Sequence, residues 1–585
     1  MDLNGANFSS YLPLVLHGIS CACFVSIDLE FSGIPFSPVG KGSREQTLQE
    51  RYADIKAAAE KYQILQIGLT VCEEDIQDGK DAQLQLSEFA KLKVSQAEEA
   101  SYILKPYNIN LSPYVDRALE ISRDWSFMSL SMEFLTSNNF SIDTVCKHGV
   151  RYLSREEETR SLKIADTKYS DVRALYKVNG EGTDQEVLGF LKEVRRLIDN
   201  WLAQGENMRN DYLNLPPSSH VRGFVRSRDS LLPETLSNME KLLVHQLVTT
   251  EYPALKSKSR SHFIQIQAAD PERERKDNDG KTKVMRERIR KHVGCRWIIE
   301  ALVGGDLTDI GDQTFKPLMG FPGDISFTLA DLANRTKSRL KENRPILIGH
   351  NCFMDLVFFY QGFLGPLPNT VEEFQAIMHS IFPIVVDTKY LATYEAGSIN
   401  PISSLLEINR KLAMISTPTI KVDPMHSKYI YRKSAHEAGY DSMLAAIAFI
   451  KLSTQLQKGK AEYSEAARLE FLEVPVAREV PVVIQVARQM KEDMVDAESD
   501  PDDMIEFSDD EGPLTYRRRA HPLVDTGCAE IATKVRKGEL MPRLGSKFWQ
   551  VYGNKLRVFG TTERVVHMGE IPDFGCYKGL WSPRI

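Results

Sequence analysis

Two acidic residues two positions apart, Asp28 and Glu30, close an apolar run that begins at Cys21. In an extended strand alternate residues share a face, so both carboxylates point the same way. Placed side by side at the end of a buried strand, they repel one another and lose hydration, a cost that a cation would remove. Two further acids have chemically suggestive settings. Asp355 follows the short apolar run Pro345–Gly349 through His350-Asn351-Cys352 and opens an apolar helix. Asp441 begins a second apolar helix, five residues after His436, with Gly439 between them. Singly, each has an ordinary structural explanation. A D-x-E on a strand is usually an exposed edge or a cap, and a first-turn acid suits the helix dipole. A lone histidine is more often packed than catalytic. The specific feature is the ordered combination: D-x-E, then H-N-x-x-x-D, then H-x-x-x-x-D.

These residues need elements to hold them. Cys21–Leu29 reads as a buried strand, Ile64–Val71 as a second and Ser101–Tyr107 as a third. Pro345–Gly349 and Pro383–Val386 read as further short buried strands. Helical patterns lie between and after them, at Glu45–Lys61, Leu329–Leu340, Ser403–Leu412 and Ala438–Leu456. Strands interleaved with helices indicate an α/β core. More than 200 residues separate the third and fourth strands, too many for one connection, so an inserted domain is expected there. Within it, Glu186–Trp201 and Glu234–Glu251 read as helices and Ser261–Gln267 as a strand, which fits a small α/β module. Beyond Gln457 the pattern weakens. A strand pair is expected around Phe548–Gly560, in a C-terminal remainder whose Trp549 and Trp581 look isolated.

The 585 residues are 42% hydrophobic and 26% charged, ordinary globular values that exclude collagen, coiled-coil arrays and wholesale disorder. A net charge of −7 argues at first sight against a nucleic-acid binder. However, Glu492–Glu511 holds 11 acids in 20 residues and no lysine or arginine, a self-repelling block expected to be a disordered linker. Without those 11 charges the rest of the chain stands at +4, which removes the objection. Tyr11–Ile27 is weakly charged but follows an acid and contains Pro13 and His17, a poor signal peptide and too short for a membrane span. Eight cysteines without a C-x-x-C suggest a reduced intracellular setting and no zinc ribbon.

The ordered acids resemble the DEDD exonuclease superfamily, histidine subtype, and within it the poly(A)-specific ribonuclease (PARN) branch of the CAF deadenylases. The similarity extends to Ile27–Ile34, Glu133–Ser137 with Asn139-Phe140, and Gly149–Tyr152 followed by Glu156–Glu158. It also includes Ile348–Asn351, Phe382-Pro383 with Asp387-Thr388-Lys389, and His436–Asp441. It covers roughly residues 1–460. The resemblance implies a ribonuclease-H-like mixed β-sheet flanked by helices, built from 1–165 and 275–460. An inserted small α/β module of the Arg-x-x-x-His, single-strand nucleic-acid-binding type would occupy 166–274. A linker at 461–512 and a C-terminal segment of unassigned type at 513–585 would follow. It further implies Asp28, Glu30, Asp355 and Asp441 as ligands of two divalent cations, Mg²⁺ with Mn²⁺ as a substitute, and His436 as the proton acceptor. Hard oxygen donors suit Mg²⁺, two ions can assist in-line displacement, and a histidine near its ordinary pKa can take a proton from water. The implied activity is 3′→5′ exoribonuclease action on poly(A) tails, releasing 5′-AMP. The implied partners are single-stranded RNA with a 3′-hydroxyl and a second copy of the chain, in the nucleus, the cytoplasm or both, with no membrane.

By the same resemblance Phe31 and Ile34 pack near the terminal nucleotides, Lys389 contacts the RNA, and His350 and Asn351 shape the pocket. The alternative for Phe31 and Ile34 is ordinary core. The Arg-x-x-x-His motif appears as Lys241 to His245, where lysine loses the bidentate phosphate contact of arginine. Lys256–Arg296 carries 13 basic residues against 6 acids, either a solvated helix or a phosphate track. No RNA-recognition (RRM) signature occurs in Gly512–Ile585, so cap binding is not expected. Ser508 in its acidic setting and Arg517–Arg519 are weak modification and targeting patterns. Two other functions share these residues: trimming of small or non-coding RNA precursors, and an inactive RNA-binding adaptor. The adaptor is disfavoured because all five catalytic positions are filled.

Overall fold

The computed structural model describes residues 1–35, 45–74, 101–169, 185–204, 211–216, 232–320, 328–342, 344–394, 403–415, 418–457, 541–542 and 545–572. The acidic block, Ser508 and Arg517–Arg519 lie outside the described residues. The strands are β1 (Asp2–Leu3), β2 (Phe24–Phe31), β3 (Ile64–Glu74), β4 (Ser101–Asn110), β5 (Tyr212–Leu215), β6 (Leu255–Ser259), β7 (Ile264–Ala268), β8 (Ile346–Gly349), β9 (Val385–Asp387), β10 (Thr419–Val422), β11 (Lys555–Arg557) and β12 (Val565–His567). The helices that matter below are α1 (Phe8–Cys21), α2 (Leu48–Lys61), α3 (Ser129–Ser137), α4 (Gln185–Leu202), α5 (Asn238–Glu251), α6 (Pro271–Val293), α7 (Phe353–Phe359), α8 (Val371–Ile381), α9 (Ala438–Gln457) and α10 (Lys547–Tyr552).

One unit comprises Met1–Arg160 with Arg290–Ile585, and the other is Ser161–Ile289. The first is built on a mixed sheet in the order β1-β4-β3-β2-β8-β9, with β10 also paired to β4. The β2–β3 and β3–β4 ladders are antiparallel, whereas β2–β8 and β8–β9 run parallel. This is the mixed, helix-flanked sheet expected from the sequence. The period of two in β2 decides both faces. Val25, Ile27, Leu29 and Phe31 enter one core with Val15, Leu16 and Ile19 of α1. Phe24 faces the other core, where its ring meets Phe449 of α9 edge-on at 5.0 Å. Ser26, Asp28 and Glu30 share the parity of Phe24, so the two acids face α9 rather than α1.

Local chemistry sets several helix starts. The Thr47 hydroxyl accepts from the Glu50 amide while Glu50 takes the Thr47 amide at 2.8 Å, a capping box that begins α2 at Leu48 rather than at Glu45. Ser237 and Glu240 do the same for α5.

The second unit, described by itself, has an antiparallel sheet in the order β5-β7-β6 with α4 and α5. Val194, Ile198 and Trp201 of α4 and Val244 and Val248 of α5 meet Ile264 and Ile266 of β7 in its core. Lys241 is buried and its ammonium donates to the Ser261 carbonyl at 2.7 Å. His245 has Ser257 Oγ 2.6 Å from Nδ1 and Ser259 Oγ 2.7 Å from Nε2. Both side chains of the motif therefore engage the module's own strand β6 and the turn after it. Part of the basic stretch is locally neutralised, Arg286 by Asp166 at 2.8 Å and Lys256 by Glu274 at 3.0 Å.

The C-terminal region departs from expectation. Phe548–Tyr552 lies on helix α10 and not on a strand; the pair is β11 with β12. Phe548, Trp549 and Tyr552 fall on one helical face, and all three are buried in the first unit. Trp549 is thus core, not an isolated aromatic.

Candidate active site

Asp28 and Glu30 are half-buried on β2, and Asp441 is in the first turn of α9. Each can offer one carboxylate oxygen such that all three atoms lie within 4.8 Å of one another. The close approach of α9 depends on a glycine. Gly68 pairs with Asp28 across the β2–β3 ladder, and a Cβ there would sit 1.8 Å from the Ala438 carbonyl oxygen. Side chains then tie the helix entrance down. Gln66 Oε1 accepts from the Ala438 amide at 2.9 Å and Asn108 Oδ1 from the Gly439 amide at 3.1 Å. Thr70 and Ser442 hydroxyls meet at 2.9 Å.

Asp355 comes from the far side of β2. It lies in the first turn of α7, 8% exposed, and its Oδ1 accepts from the Leu29 amide at 3.1 Å. It stands outside the 4.8 Å triplet but close enough to repel Asp28 and Glu30. Burial first, then repulsion by Asp441, Asp355 and Glu30, pushes Asp28 well above the ordinary carboxylate range. Glu30 is pushed up by burial and then by Asp441 and Asp355. Burial raises Asp355 from 3.8 to about 7, opposed by backbone amides. Among the described residues, the charges that shift Asp28 are all those of other acids. A cluster of oxygen donors held this close, with its charge uncompensated by those neighbours, fits a hard divalent cation such as Mg²⁺.

His436 has left-handed backbone, φ 63°, which brings its amide to Asp441 Oδ2 at 3.0 Å. Its ring packs edge-on against Phe134 of α3, centroids 4.7 Å apart. Burial lowers its pKa below 6.5, so the neutral, proton-accepting imidazole prevails at neutral pH. The helix entrance is thus irregular at His436 itself.

Of the five expected nucleotide contacts, His350, Asn351 and Lys389 are linked around Asp387 and Thr388, whereas Phe31 turns into the core. Phe31 is 7% exposed with its ring 4.2 Å from that of Phe358, on the face of β2 opposite Glu30. Ile34 is half-buried just beyond β2. Asn351 is exposed, φ 54°, and its amide donates to Asp387 Oδ1 at 2.7 Å. His350 Nδ1 meets the Thr388 hydroxyl at 2.9 Å, and burial followed by the Lys389 charge pushes its pKa well down. Lys389 is buried, its ammonium donates to the Ser403 carbonyl, and burial lowers it to about 8. Sequence reasoning had missed Gly68, whose only signal was a glycine inside an apolar strand. Asp387, legible in the sequence only as part of an Asp-Thr-Lys run, is a fully buried carboxylate that collects the amides of Asn351 and Lys389 at 2.7 and 2.9 Å.

The profile of the CAF1 family ribonucleases matches residues 3–449. "Poly(A)-specific ribonuclease PARN" of Xenopus laevis is 22% identical over 488 residues, 78% of this chain and 63% of that protein. The chain therefore spans less than two thirds of that relative. "Poly(A)-specific ribonuclease PNLDC1" of Mus musculus is 23% identical over 491 residues, 81% of this chain and 76% of the relative. "Pre-piRNA 3′-exonuclease trimmer" of Bombyx mori is 21% identical over 462 residues, 77% and 71%.

Proposed function

This chain belongs to the CAF1 ribonuclease family, and we propose that it is a metal-dependent 3′→5′ exoribonuclease that shortens poly(A) and releases 5′-AMP. The observation that carries the reading is the meeting of Asp28, Glu30 and Asp441 within 4.8 Å, with His436 on the same turn as Asp441. Asp28, Glu30, Asp441 and Asp355 would hold a pair of divalent cations, which when bound polarise the scissile phosphate and favour charge on the departing oxygen. Neutral His436 takes a proton from the attacking water at a ring nitrogen. The water oxygen bonds to phosphorus, the bond from phosphorus to the 3′ oxygen breaks, and that oxygen takes up a proton. One nucleoside 5′-monophosphate leaves, and the RNA keeps a new 3′-hydroxyl. Phe134 limits the ring's orientation and Asp441 anchors the His436 backbone. Ile34, His350 and the exposed Asn351 are the expected nucleotide contacts that remain presented to solvent in part. Lys389 and Phe31 would act from beneath the surface, by shaping it. A homodimer and a nuclear or cytoplasmic site of action belong to the same reading. No described helix is long and apolar enough to cross a membrane.

The second reading, trimming of small or non-coding RNA precursors, has the same chemistry and a relative of that name. The test is purified protein with Mg²⁺ on end-labelled oligo(A), oligo(U) and mixed-sequence RNA with 3′-hydroxyl ends. A ladder of single-nucleotide steps, fastest on oligo(A) and absent with Asp28→Ala, is expected. Equal rates on all three would transfer the proposal to the trimmer, and Asp28→Ala acting at the wild-type rate would refute the site.

A further inference from the structure

The family match ends at residue 449, yet residues far beyond it are built into the nuclease unit. Trp549 is fully buried and its indole N–H donates to the Pro542 carbonyl at 2.9 Å. Leu556, Val558, Val566 and Met568 of the β11–β12 hairpin enter the same core as β2 and α1. The polar contacts are more directed still. Asn554 is 1% exposed and φ is 55°, a conformation that asparagine tolerates better than most residues. Its Oδ1 accepts from the Val385 amide at 2.8 Å, its Nδ2 donates to the Pro383 carbonyl at 2.8 Å, and its own amide donates to the Val385 carbonyl at 2.8 Å. Three residues later the Arg557 amide donates to Asp387 Oδ2 at 2.8 Å. The other oxygen of Asp387 holds the Asn351 amide. Asn351 lies in the turn between β8 and α7, four residues before Asp355. The tip of the hairpin reaches the opposite flank, where the Thr562 amide donates to the Gln46 carbonyl at 2.9 Å and Glu563 Oε2 accepts from the Leu48 amide at 2.9 Å.

We infer that residues 541–542 and 545–572 belong to a strap integral to the nuclease unit, in which Asn554 and the Arg557 amide act as positioning groups for Asp387 and, through the Asn351 turn, for Asp355. The physical reason is that Asp387 is fully buried and has two oxygens to satisfy. Asn351 and Lys389 engage one of them, and the strap supplies the bond to the other. Without that donor a buried carboxylate loses a charge-assisted bond, and the turn it anchors loses its support. Backbone geometry at β9 is set from the strap side as well, since Val385 both donates to and accepts from Asn554. The strap lies beyond the matched segment, so this chain joins a remote stretch of sequence to the support of its own catalytic acid. The catalytic half of the inference rests on the nuclease reading, whereas the structural half does not.

The test uses the full chain with a protease recognition sequence inserted between residues 500 and 501. After cleavage the two pieces are expected to elute together at low salt and high salt, with oligo(A) shortening retained. Uncut variants then separate positioning from bulk stability. Asn554→Gly keeps the positive φ but deletes both side-chain bonds, and Arg557→Pro deletes the amide. Each should speed hydrogen exchange at the Asn351 amide at least about tenfold and slow oligo(A) shortening about tenfold or more. Arg557→Lys, which keeps the amide and the charge, should restore both to within about twofold. Separation of the pieces with full activity in the larger one would overturn the strap. So would equal exchange at Asn351 in Arg557→Pro and Arg557→Lys. If the wild type shows no shortening of RNA, the nuclease reading fails, and exchange with co-elution still decides the strap.

Discussion

Asp355→Asn separates a carboxylate kept for a cation from an ordinary buried acid. Asp355 is 8% exposed and burial carries it from 3.8 to about 7. A displacement of one pH unit corresponds to about 1.4 kcal/mol. At about pH 8, keeping this group ionised in the metal-free fold therefore costs up to about 4 kcal/mol, and on the order of 2–4 once the shared repulsion is assigned to the whole cluster. Because the folded value lies above the unfolded one, the penalty is full above pH 7, shrinks as pH falls toward 4 and is absent below that. Asparagine has the same shape, and its Oδ1 can still accept from the Leu29 amide. Urea unfolding of EDTA-treated protein, followed through tryptophan fluorescence, should show the variant more stable than wild type by about 2–4 kcal/mol at pH 8. Roughly half of that gain should disappear at about pH 5.5. Added Mg²⁺ should stabilise the wild type, by about 2.7 kcal/mol at a hundredfold excess over Kd, and the variant less. A variant less stable than wild type in EDTA at pH 8, with the Mg²⁺ gain intact, would refute the reasoning, because the carboxylate would then be serving the fold.

Three further outcomes are expected. His436→Ala should lower kcat by about 10²–10⁴ with little change in KM. Since burial depresses His436 and the neutral ring is the acceptor, the acid limb of the wild-type kcat–pH profile should lie below 6.5 and vanish in the variant. Gly68→Ala would place a methyl 1.8 Å from the Ala438 carbonyl oxygen. It should cost about 1–3 kcal/mol in urea unfolding and abolish RNA shortening, whereas wild-type activity would show that α9 need not sit so close. Lys241→Ala removes a buried ammonium's bond to the Ser261 carbonyl and should destabilise the inserted unit by about 1–3 kcal/mol without weakening oligo(A) binding. Lost affinity at unchanged stability would instead make Lys241 a phosphate contact.

Much of the candidate site was legible because it obeys short-range periodicity. Alternation along β2 put Asp28 and Glu30 on one face, and the same alternation already placed Phe31 on the opposite one, with Leu29. Capping pairs such as Thr47 with Glu50 refine boundaries that hydrophobic pattern leaves loose by a few residues. The C-terminal aromatics were misread because three buried rings within five residues suit either a strand or one face of a single helical turn. Only the core they enter distinguishes the two.

The chain by itself determined the residue types: four acids and a histidine in order, apolar runs interleaved with helical patterns, and an insertion between the third and fourth strands of the core. Those properties are local, or are counts, and need no partner to be read. Which acids converge, and how closely, was decided only in three dimensions. Asp441 reaches β2 because Gly68 leaves room, Asp355 is set by the Leu29 amide, and Asp387 is held by Arg557, a hundred residues after α9 ends at Gln457. Contacts of that kind join segments whose separation along the chain carries no periodic signal, and burial, which makes their hydrogen bonds count, exists only after the chain has folded.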